Sequence, residues 1–249
     1  MSMVSVTPTF VSNDWMTTER GKRIFAALSS RDQQRRRAFA LLEHPVFAPS
    51  DTMEEFEYKI FISGKSGVGK TSMAAKLSAN TVPVSHSETA GICTYTLYWP
   101  ALIVDTEQVV MFKLVLWDAG ENTLKKFDHI LPACKDKVDG VIFSFSFADK
   151  ASFEDLGQQI SRVTAADDNF CRFVVGTKLD VAASEVTSRA VGEFEAAWRL
   201  PVLGIRNTSD SHVTLADEMK HIAPLLNYIC DELWKRDQIL AGTLAVQER

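Results

Sequence analysis

The sequence predicts a doubly wound α/β fold in which helices cover both faces of a mostly parallel six-stranded sheet. Short apolar runs bounded by polar residues alternate along the chain with longer stretches of helical periodicity. Continuous apolar runs are typical of strands buried on both faces, and such strands usually pair in parallel. A glycine-rich loop also joins the first strand to a helix. The predicted strands are 55–63, 92–99, 109–117, 141–147, 170–175 and 201–205, and the predicted helices are 71–77, 122–134, 152–163, 184–198 and 214–239.

The composition excludes several classes of protein. With 46% hydrophobic residues among 249 and a mean hydropathy of -0.04, the chain should fold as a globular protein with a sizeable core. A formal net charge of -5 argues against a nucleic-acid-binding surface. Four widely spaced cysteines predict free thiols in a reducing compartment. No signal sequence, spanning run or lipidation motif is visible, so we expect a cytoplasmic protein that reaches membranes through its partners.

Three parts are predicted along the chain. Residues 1–54 form an N-terminal extension, disordered to residue 14 and helical in pattern over 15–43. Residues 55–241 carry the α/β alternation, and residues 242–249 form a flexible tail. The basic stretch 31–37 is interpreted as a solvated helix face or, alternatively, as a contact to a partner or a lipid headgroup.

The segment 64–71 matches the phosphate-binding P-loop G-x-x-x-x-G-K-[ST]. Gly64 and Gly69 let the backbone fold around an anion with its N–H groups pointing inward. Lys70 can then reach the β- and γ-phosphates, and the Thr71 hydroxyl can ligate Mg²⁺. The residues predicted to bind phosphate are Ser66, Gly67, Val68, Gly69, Lys70, Thr71 and Ser72.

A second motif, Thr177-Lys178-Leu179-Asp180, follows a predicted buried strand and indicates which base is bound. The Asp180 carboxylate can accept two hydrogen bonds, from the ring N–H and the exocyclic amine of guanine. Adenine lacks this donor pair and would leave the charge unpaired. Lys178 would lay its stem against the base and tie back to the P-loop. The predicted guanine-binding residues are Thr177, Lys178, Asp180 and Asn207.

Two further segments complete the predicted site. Asp118 ends a strand and can hold Mg²⁺ through water, while the N–H of Gly120 can meet a γ-phosphate. Thr89 lies in the stretch after the first helix of the α/β part, where it could complete Mg²⁺ coordination only when a γ-phosphate is present. Thr89 and Gly120 are therefore the predicted switch residues, and Gly120 and Glu121 are the candidate catalytic residues.

Together these motifs resemble the Ras superfamily of small GTPases over residues 55–240, and the intervals from Lys70 to Thr89 and from Asp118 to Lys178 match that family. Segments 63–71, 124–131 and 151–156 resemble more closely the Rem/Rab-similar GTPases of the ciliogenesis and planar polarity effector (CPLANE) complex. The resemblance implies the P-loop small-GTPase fold and binding of GTP or GDP with Mg²⁺. It also implies a role at the ciliary basal body in cargo delivery and vesicle fusion, with partners of the Fuzzy and Inturned type.

The sequence departs from that family where hydrolysis is concerned. Glu121 replaces the glutamine that positions water, its loop is one residue short, and Ser66 replaces a glycine. These changes predict slow intrinsic hydrolysis. Three readings stay open: a GTP-dependent switch, a pseudo-GTPase interaction module that binds nucleotide without hydrolysing it, and a P-loop kinase. The kinase would need an acceptor site and an arginine-rich lid, and neither is evident.

Overall fold

The computed structural model describes residues 9–29, 53–78, 82–83, 88–127, 129–165, 167–181, 183–207 and 215–244. Their centre is a six-stranded sheet of order β2-β3-β1-β4-β5-β6. Strand β2 pairs antiparallel with β3, and every other pairing in the sheet is parallel. The predicted mostly parallel sheet is thereby confirmed. The strands are β1 (Glu55–Gly64), β2 (Ile92–Ile103), β3 (Gln108–Ala119), β4 (Gly140–Ser146), β5 (Cys171–Thr177) and β6 (Val202–Gly204).

Helices cover both faces of this sheet, as predicted. None of the helices among the described residues is both long and apolar enough to cross a bilayer. A 3₁₀ helix, Trp15–Thr17, precedes them. They are α1 (Glu19–Ser29), α2 (Lys70–Leu77), α3 (Glu121–Lys126), α4 (Ile130–Lys135), α5 (Lys150–Glu154), α6 (Leu156–Val163), α7 (Ser188–Trp198) and α8 (Leu215–Leu240).

Each face of the sheet has its own hydrophobic core. One core joins the sheet to α1, α2 and α8, with Ile24, Met73 and Ile229 buried in it. The other joins the opposite face to α5, α6 and α7, through side chains such as Phe153 and Leu156. The sheet is therefore covered on both sides, which accounts for the full burial of β4 and for the consecutive buried residues 60–62 of β1 and 173–175 of β5.

Several predicted elements differ from the structure in their bounds: the helix predicted over 152–163 is α5 and α6, and the helix predicted over 184–198 begins at Ser188. Strand β2 continues through Pro100 to Ile103 instead of ending at residue 99. Proline is compatible with this position because β2 is an edge strand, where a missing N–H breaks no ladder. The predicted helix 122–134 is two helices, because Phe127 adopts an extended backbone after α3.

Residues 9–14, which the sequence predicts to be disordered, instead pack against the domain. Val11 forms an antiparallel bridge with Ile103 at the end of β2. The carboxylate of Asp231, on α8, accepts hydrogen bonds from the backbone N–H groups of Phe10 and Val11 at 2.6 and 2.9 Å. Sequence patterns miss this because the contact joins segments far apart in the chain. The rest of the predicted extension, residues 1–8 and 30–52, lies outside the described residues.

The extension continues as the 3₁₀ helix Trp15–Thr17 and as α1, which both contribute side chains to the core. Trp15, Ile24 and Phe25 are buried in the core beside α8, and the Trp15 and Phe25 rings lie 5.4 Å apart. Phe25 in turn meets Trp99 of β2 edge-on at 5.2 Å. These contacts lie toward the β2–β3 turn, at the opposite end of the sheet from the carboxyl ends of β1, β3 and β5.

Candidate functional site

The P-loop joins β1 to α2 and bends sharply at two glycines. Gly67 and Gly69 have φ of 78° and 103°, a region that residues with a side chain seldom adopt. A Cβ at Gly69 would also lie 2.6 Å from Asn207 Nδ2. Glycine is therefore needed at Gly69 for both conformation and space. Ser72, also predicted to bind phosphate, lies in the first turn of α2.

Lys70 begins α2 and reaches back across the loop. Its side chain is buried, and Nζ donates to the carbonyl oxygens of Gly64 at 2.8 Å and Lys65 at 2.9 Å. Burial lowers the pKa of Lys70, while the nearby carboxylates, Asp118 foremost, act in the opposite direction. The structure therefore brings this cation to the mouth of the loop, where the motif requires it.

Three oxygen-bearing side chains from different elements meet beside Lys70. The Thr71 hydroxyl donates to Asp118 Oδ2 at 2.5 Å, and the Thr89 hydroxyl donates to the same atom at 3.1 Å. The two hydroxyl oxygens lie 2.9 Å apart. Asp118 Oδ1 is buried, and no hydrogen-bond donor among the described residues reaches it. The sequence-predicted Mg²⁺ residues are thus brought together in space.

This donor set fits the Mg²⁺ that accompanies a bound nucleotide in P-loop proteins. Mg²⁺ prefers hard oxygen ligands, and the unpartnered Asp118 oxygen is free to receive a water of its hydration shell. Thr71 and Thr89 would ligate the ion, and Asp118 would hold it through water. The bound ion would neutralise negative charge between neighbouring phosphates.

Beneath the loop, two polar side chains hold its backbone in place. The hydroxyl of Thr177 donates to the carbonyl oxygens of Val68 and Phe145, and the side chain is fully buried. Asn207 is also buried, and its Nδ2 donates to Gly69 O at 3.3 Å. Both were predicted to contact guanine, but the structure shows them supporting the P-loop. The structure thus gives these two residues a role in supporting the loop, and their contact to guanine stays a prediction.

The other two predicted guanine residues lie nearer the surface. Lys178 follows β5 with φ of 54°, and its Nζ donates to Gly67 O at 2.9 Å. This bond ties the Thr177–Asp180 motif to the P-loop, as predicted for Lys178. Asp180 is exposed, at the carboxyl end of β5. Reading of guanine by Asp180 stays a prediction.

The two predicted switch segments touch each other directly. The N–H of Gly120 donates to Gly91 O at 3.3 Å. A Cβ at Gly120 would lie 2.1 Å from Thr89 O, so the loop leaves no room for a side chain there. The Glu88 carboxylate accepts from the backbone and side-chain nitrogens of Asn122 at 2.9 and 2.5 Å. Sequence analysis missed the link between Glu88 and Asn122, since it joins two loops without a shared motif.

Glu121, the candidate catalytic residue after Gly120, begins α3. Its Oε2 accepts a hydrogen bond from the backbone N–H of Ser66 at 2.6 Å. Its Oε1 lies 2.6 Å from Nζ of Lys125, one helical turn later. The carboxylate thus spans the P-loop and its own helix.

Comparison with known proteins agrees with this geometry. The sequence profile of the Ras family matches residues 59–216, which span the P-loop, Asp118 and the Thr177–Asp180 motif. "Ciliogenesis and planar polarity effector 2" of Mus musculus is 43% identical over 242 residues, covering 93% of this chain and 92% of the relative. The protein of the same name in Homo sapiens is 41% identical over 255 residues, covering 98% and 96%.

A more distant relative lies outside that group. "Ras-related protein Rab-1" of Theileria annulata is 27% identical over 186 residues, covering 71% of this chain and 67% of the relative. The resemblances drawn from the P-loop and the neighbouring segments are therefore confirmed. From its fold, its phosphate loop and these comparisons, the chain belongs to the Ras family.

Proposed function

We propose that the protein binds GTP and GDP with Mg²⁺ and acts as a nucleotide-dependent switch. One observation carries the proposal: the oxygens of Thr71, Thr89 and Asp118 converge beside Lys70 at the mouth of the P-loop. These residues belong to α2, to the loop before β2 and to β3. An ion held by all three would tie that loop to the phosphates, so its order would depend on which nucleotide is bound.

A second candidate function is favoured by the contacts of Glu121. A carboxylate bonded to Ser66 N–H and Lys125 is not positioned to orient an attacking water. This supports slow intrinsic hydrolysis, and in the limit a pseudo-GTPase that serves as a scaffold. Both candidates share guanine-nucleotide binding, and they differ in turnover and in whether partner binding depends on the nucleotide.

The cellular part of the proposal rests on the relatives. Proteins called "Ciliogenesis and planar polarity effector 2" match nearly the whole chain. We infer a role in cilium biogenesis and in targeted membrane traffic and protein transport to the basal body. The protein would act within a CPLANE-type complex through subunits of the Fuzzy and Inturned type. Those partners would supply its contact with membranes.

Base choice and phosphate binding are tested by affinity for fluorescent GTP, ATP and xanthosine triphosphate analogues. Lys70→Ala should weaken GTP binding by about 3 kcal/mol, or ~100-fold, because it removes a charge-assisted phosphate contact. Asp180→Asn should lose GTP and gain the xanthine nucleotide, because the amide N–H₂ opposes the exocyclic amine of guanine but can donate to the carbonyl oxygen that xanthine carries in its place. Asp105→Asn is the matched control, an exposed aspartate in the β2–β3 turn at the far end of the sheet. Unchanged GTP affinity in Lys70→Ala and Asp180→Asn would contradict guanine-nucleotide binding at this site.

Switch and scaffold are separated by partner capture. Full-length protein loaded with GDP or a non-hydrolysable GTP analogue is mixed with purified subunits of the Fuzzy and Inturned type. A switch should bind them more tightly in the GTP form, and Thr89→Ala should remove that difference because Mg²⁺ no longer orders its loop. Equal capture in both forms would reject the switch and leave the scaffold.

A further inference from the structure

The carboxylate of Glu121 lies on the phosphate-binding loop itself. Its Oε2 is 2.6 Å from the backbone nitrogen of Ser66, which is one of the loop amides predicted to face an anion. Loop amides of this kind bind phosphate oxygens. The carboxylate therefore stands where an oxygen of a bound phosphate would stand.

The two ends of the site can be told apart. The base end is marked by Asp180 and by the bond from Lys178 to Gly67. The opposite end is marked by Asp118 and by Gly120, the residue just before Glu121. Because the phosphates extend away from the base, the third phosphate of a triphosphate belongs at the end where Glu121 lies.

The nitrogen donors of Lys70 and Gly120 at this end are bonded to neutral carbonyl oxygens. Lys70 Nζ donates to Gly64 O and Lys65 O, and Gly120 N–H donates to Gly91 O at 3.3 Å. The acceptor on Ser66 N–H is instead a carboxylate. Glu121 thus places a negative charge on a donor that a terminal phosphate would use.

We propose that Glu121 sets the preference of this site between guanine nucleoside diphosphates and triphosphates. A triphosphate must displace the carboxylate from Ser66 N–H and then tolerate its charge, whereas a diphosphate leaves the contact in place. Lys125, 2.6 Å from Oε1, is the anchor that holds the carboxylate once it leaves the loop. This inference rests on the proposed nucleotide binding and adds a specificity determinant to it.

The ionisation state of Glu121 supports a role in nucleotide preference over a role as a general base. Burial acts to raise the pKa of Glu121, but the hydrogen bonds from Lys125 and the Ser66 amide outweigh it, and the pKa is lowered. The group is therefore ionised at neutral pH. A general base works best with a pKa near the operating pH, which this environment opposes.

The test compares GTP and GDP affinities in the full chain, by displacement of a fluorescent GDP with GDP or a non-hydrolysable GTP analogue in Mg²⁺. Glu121→Gln removes the charge and keeps the shape, so the ratio of GTP to GDP affinity should rise by roughly tenfold, the scale of repulsion between partly screened like charges a few ångström apart. Lys125→Met should lower the ratio, and should have no effect once Glu121 is already Gln. Glu154→Gln is the matched control, since Glu154 also pairs with a lysine four residues away, Lys150 at 3.4 Å.

The outcomes separate this inference from the proposed function. An unchanged ratio in Glu121→Gln, with tight binding of both nucleotides by the parent, overturns the inference alone. A change confined to the single-turnover hydrolysis rate, with the ratio constant, also overturns it, because Glu121 would then act on the chemical step. Failure of the parent to bind either nucleotide overturns the proposed function as well.

Discussion

Replacing Asp231 by Ala should destabilise the fold by about 3 kcal/mol and leave the nucleotide site intact. The carboxylate is 3% exposed and accepts from two backbone nitrogens, at 2.6 Å from Phe10 and 2.9 Å from Val11. Hydrogen bonds to a charged group contribute roughly 1.5–3 kcal/mol each. Phe10 is only half-buried and can regain water, whereas Val11 is 1% exposed and would leave a buried N–H unpaired.

Thermal and urea unfolding of the full chain measure this effect. For a domain of this size the loss corresponds to a fall in Tm of roughly 6–12 °C. Asp231→Asn keeps an oxygen that can accept both bonds but removes the charge, so it should lose about half as much. Nucleotide affinity should not change, because the Val11–Ile103 bridge lies at the opposite end of the sheet from the P-loop. An unchanged Tm in Asp231→Ala would refute the stabilising role of its hydrogen bonds to the N-terminal segment. Weaker GTP binding would show that this segment acts on the nucleotide site.

Two further predictions concern the room for a side chain at Gly120 and the reactivity of the four cysteines. Gly120→Ala should lower Mg²⁺-dependent GTP affinity at least about tenfold, because a Cβ there would lie 2.1 Å from Thr89 O and must displace it. The control is Gly192→Ala in α7, where, apart from the helix's own backbone, nothing in the described part of the chain lies within 4 Å of the added Cβ. That substitution should raise the free energy of unfolding by about 0.5–1 kcal/mol, because alanine favours the helix more than glycine does. Thiol labelling near neutral pH should modify one of the four cysteines quickly, because Cys93 is exposed while burial raises the pKa of Cys134 to about 11 and of Cys171 to about 12. Burial also raises the pKa of Cys230, so these three thiols stay protonated until the protein unfolds, and rapid modification of more than one would contradict their placement.

The sheet and the Mg²⁺ residues could be predicted because their signals are local. An apolar run such as β4 is buried along its whole length, so composition alone marks it as a strand between two layers. The P-loop carries its own turn in its glycines, and Asp118 lies near the end of β3, whose parallel neighbour β1 leads into the loop. Thr89 was placed by its interval from Lys70, and its hydroxyl does meet Thr71.

What could not be predicted depends on contacts between distant segments. The residues around Val11 are polar and irregular, and their order comes from Asp231, more than two hundred positions away. Thr177 belongs to a motif associated with the base, yet the pleat of β5 turns its hydroxyl inward to Val68 and Phe145. No periodicity reports the direction of a single side chain at a strand end.

The contact of Glu121 with Ser66 depends both on a local sequence signal and on a contact between distant segments. The short loop after Asp118 makes Glu121 the first residue of α3, so its backbone is fixed and Lys125 lies one turn away on the same face. A neutral glutamine at this position would not pair with Lys125 as an ion pair and would put no charge on the loop amide. Two of the three sequence changes that predict slow hydrolysis, the glutamate and the shortened loop, therefore also place a carboxylate at the terminal-phosphate end. Turnover and nucleotide preference should then both respond to Glu121→Gln, and measuring them together on one variant separates an effect on the chemical step from an effect on binding.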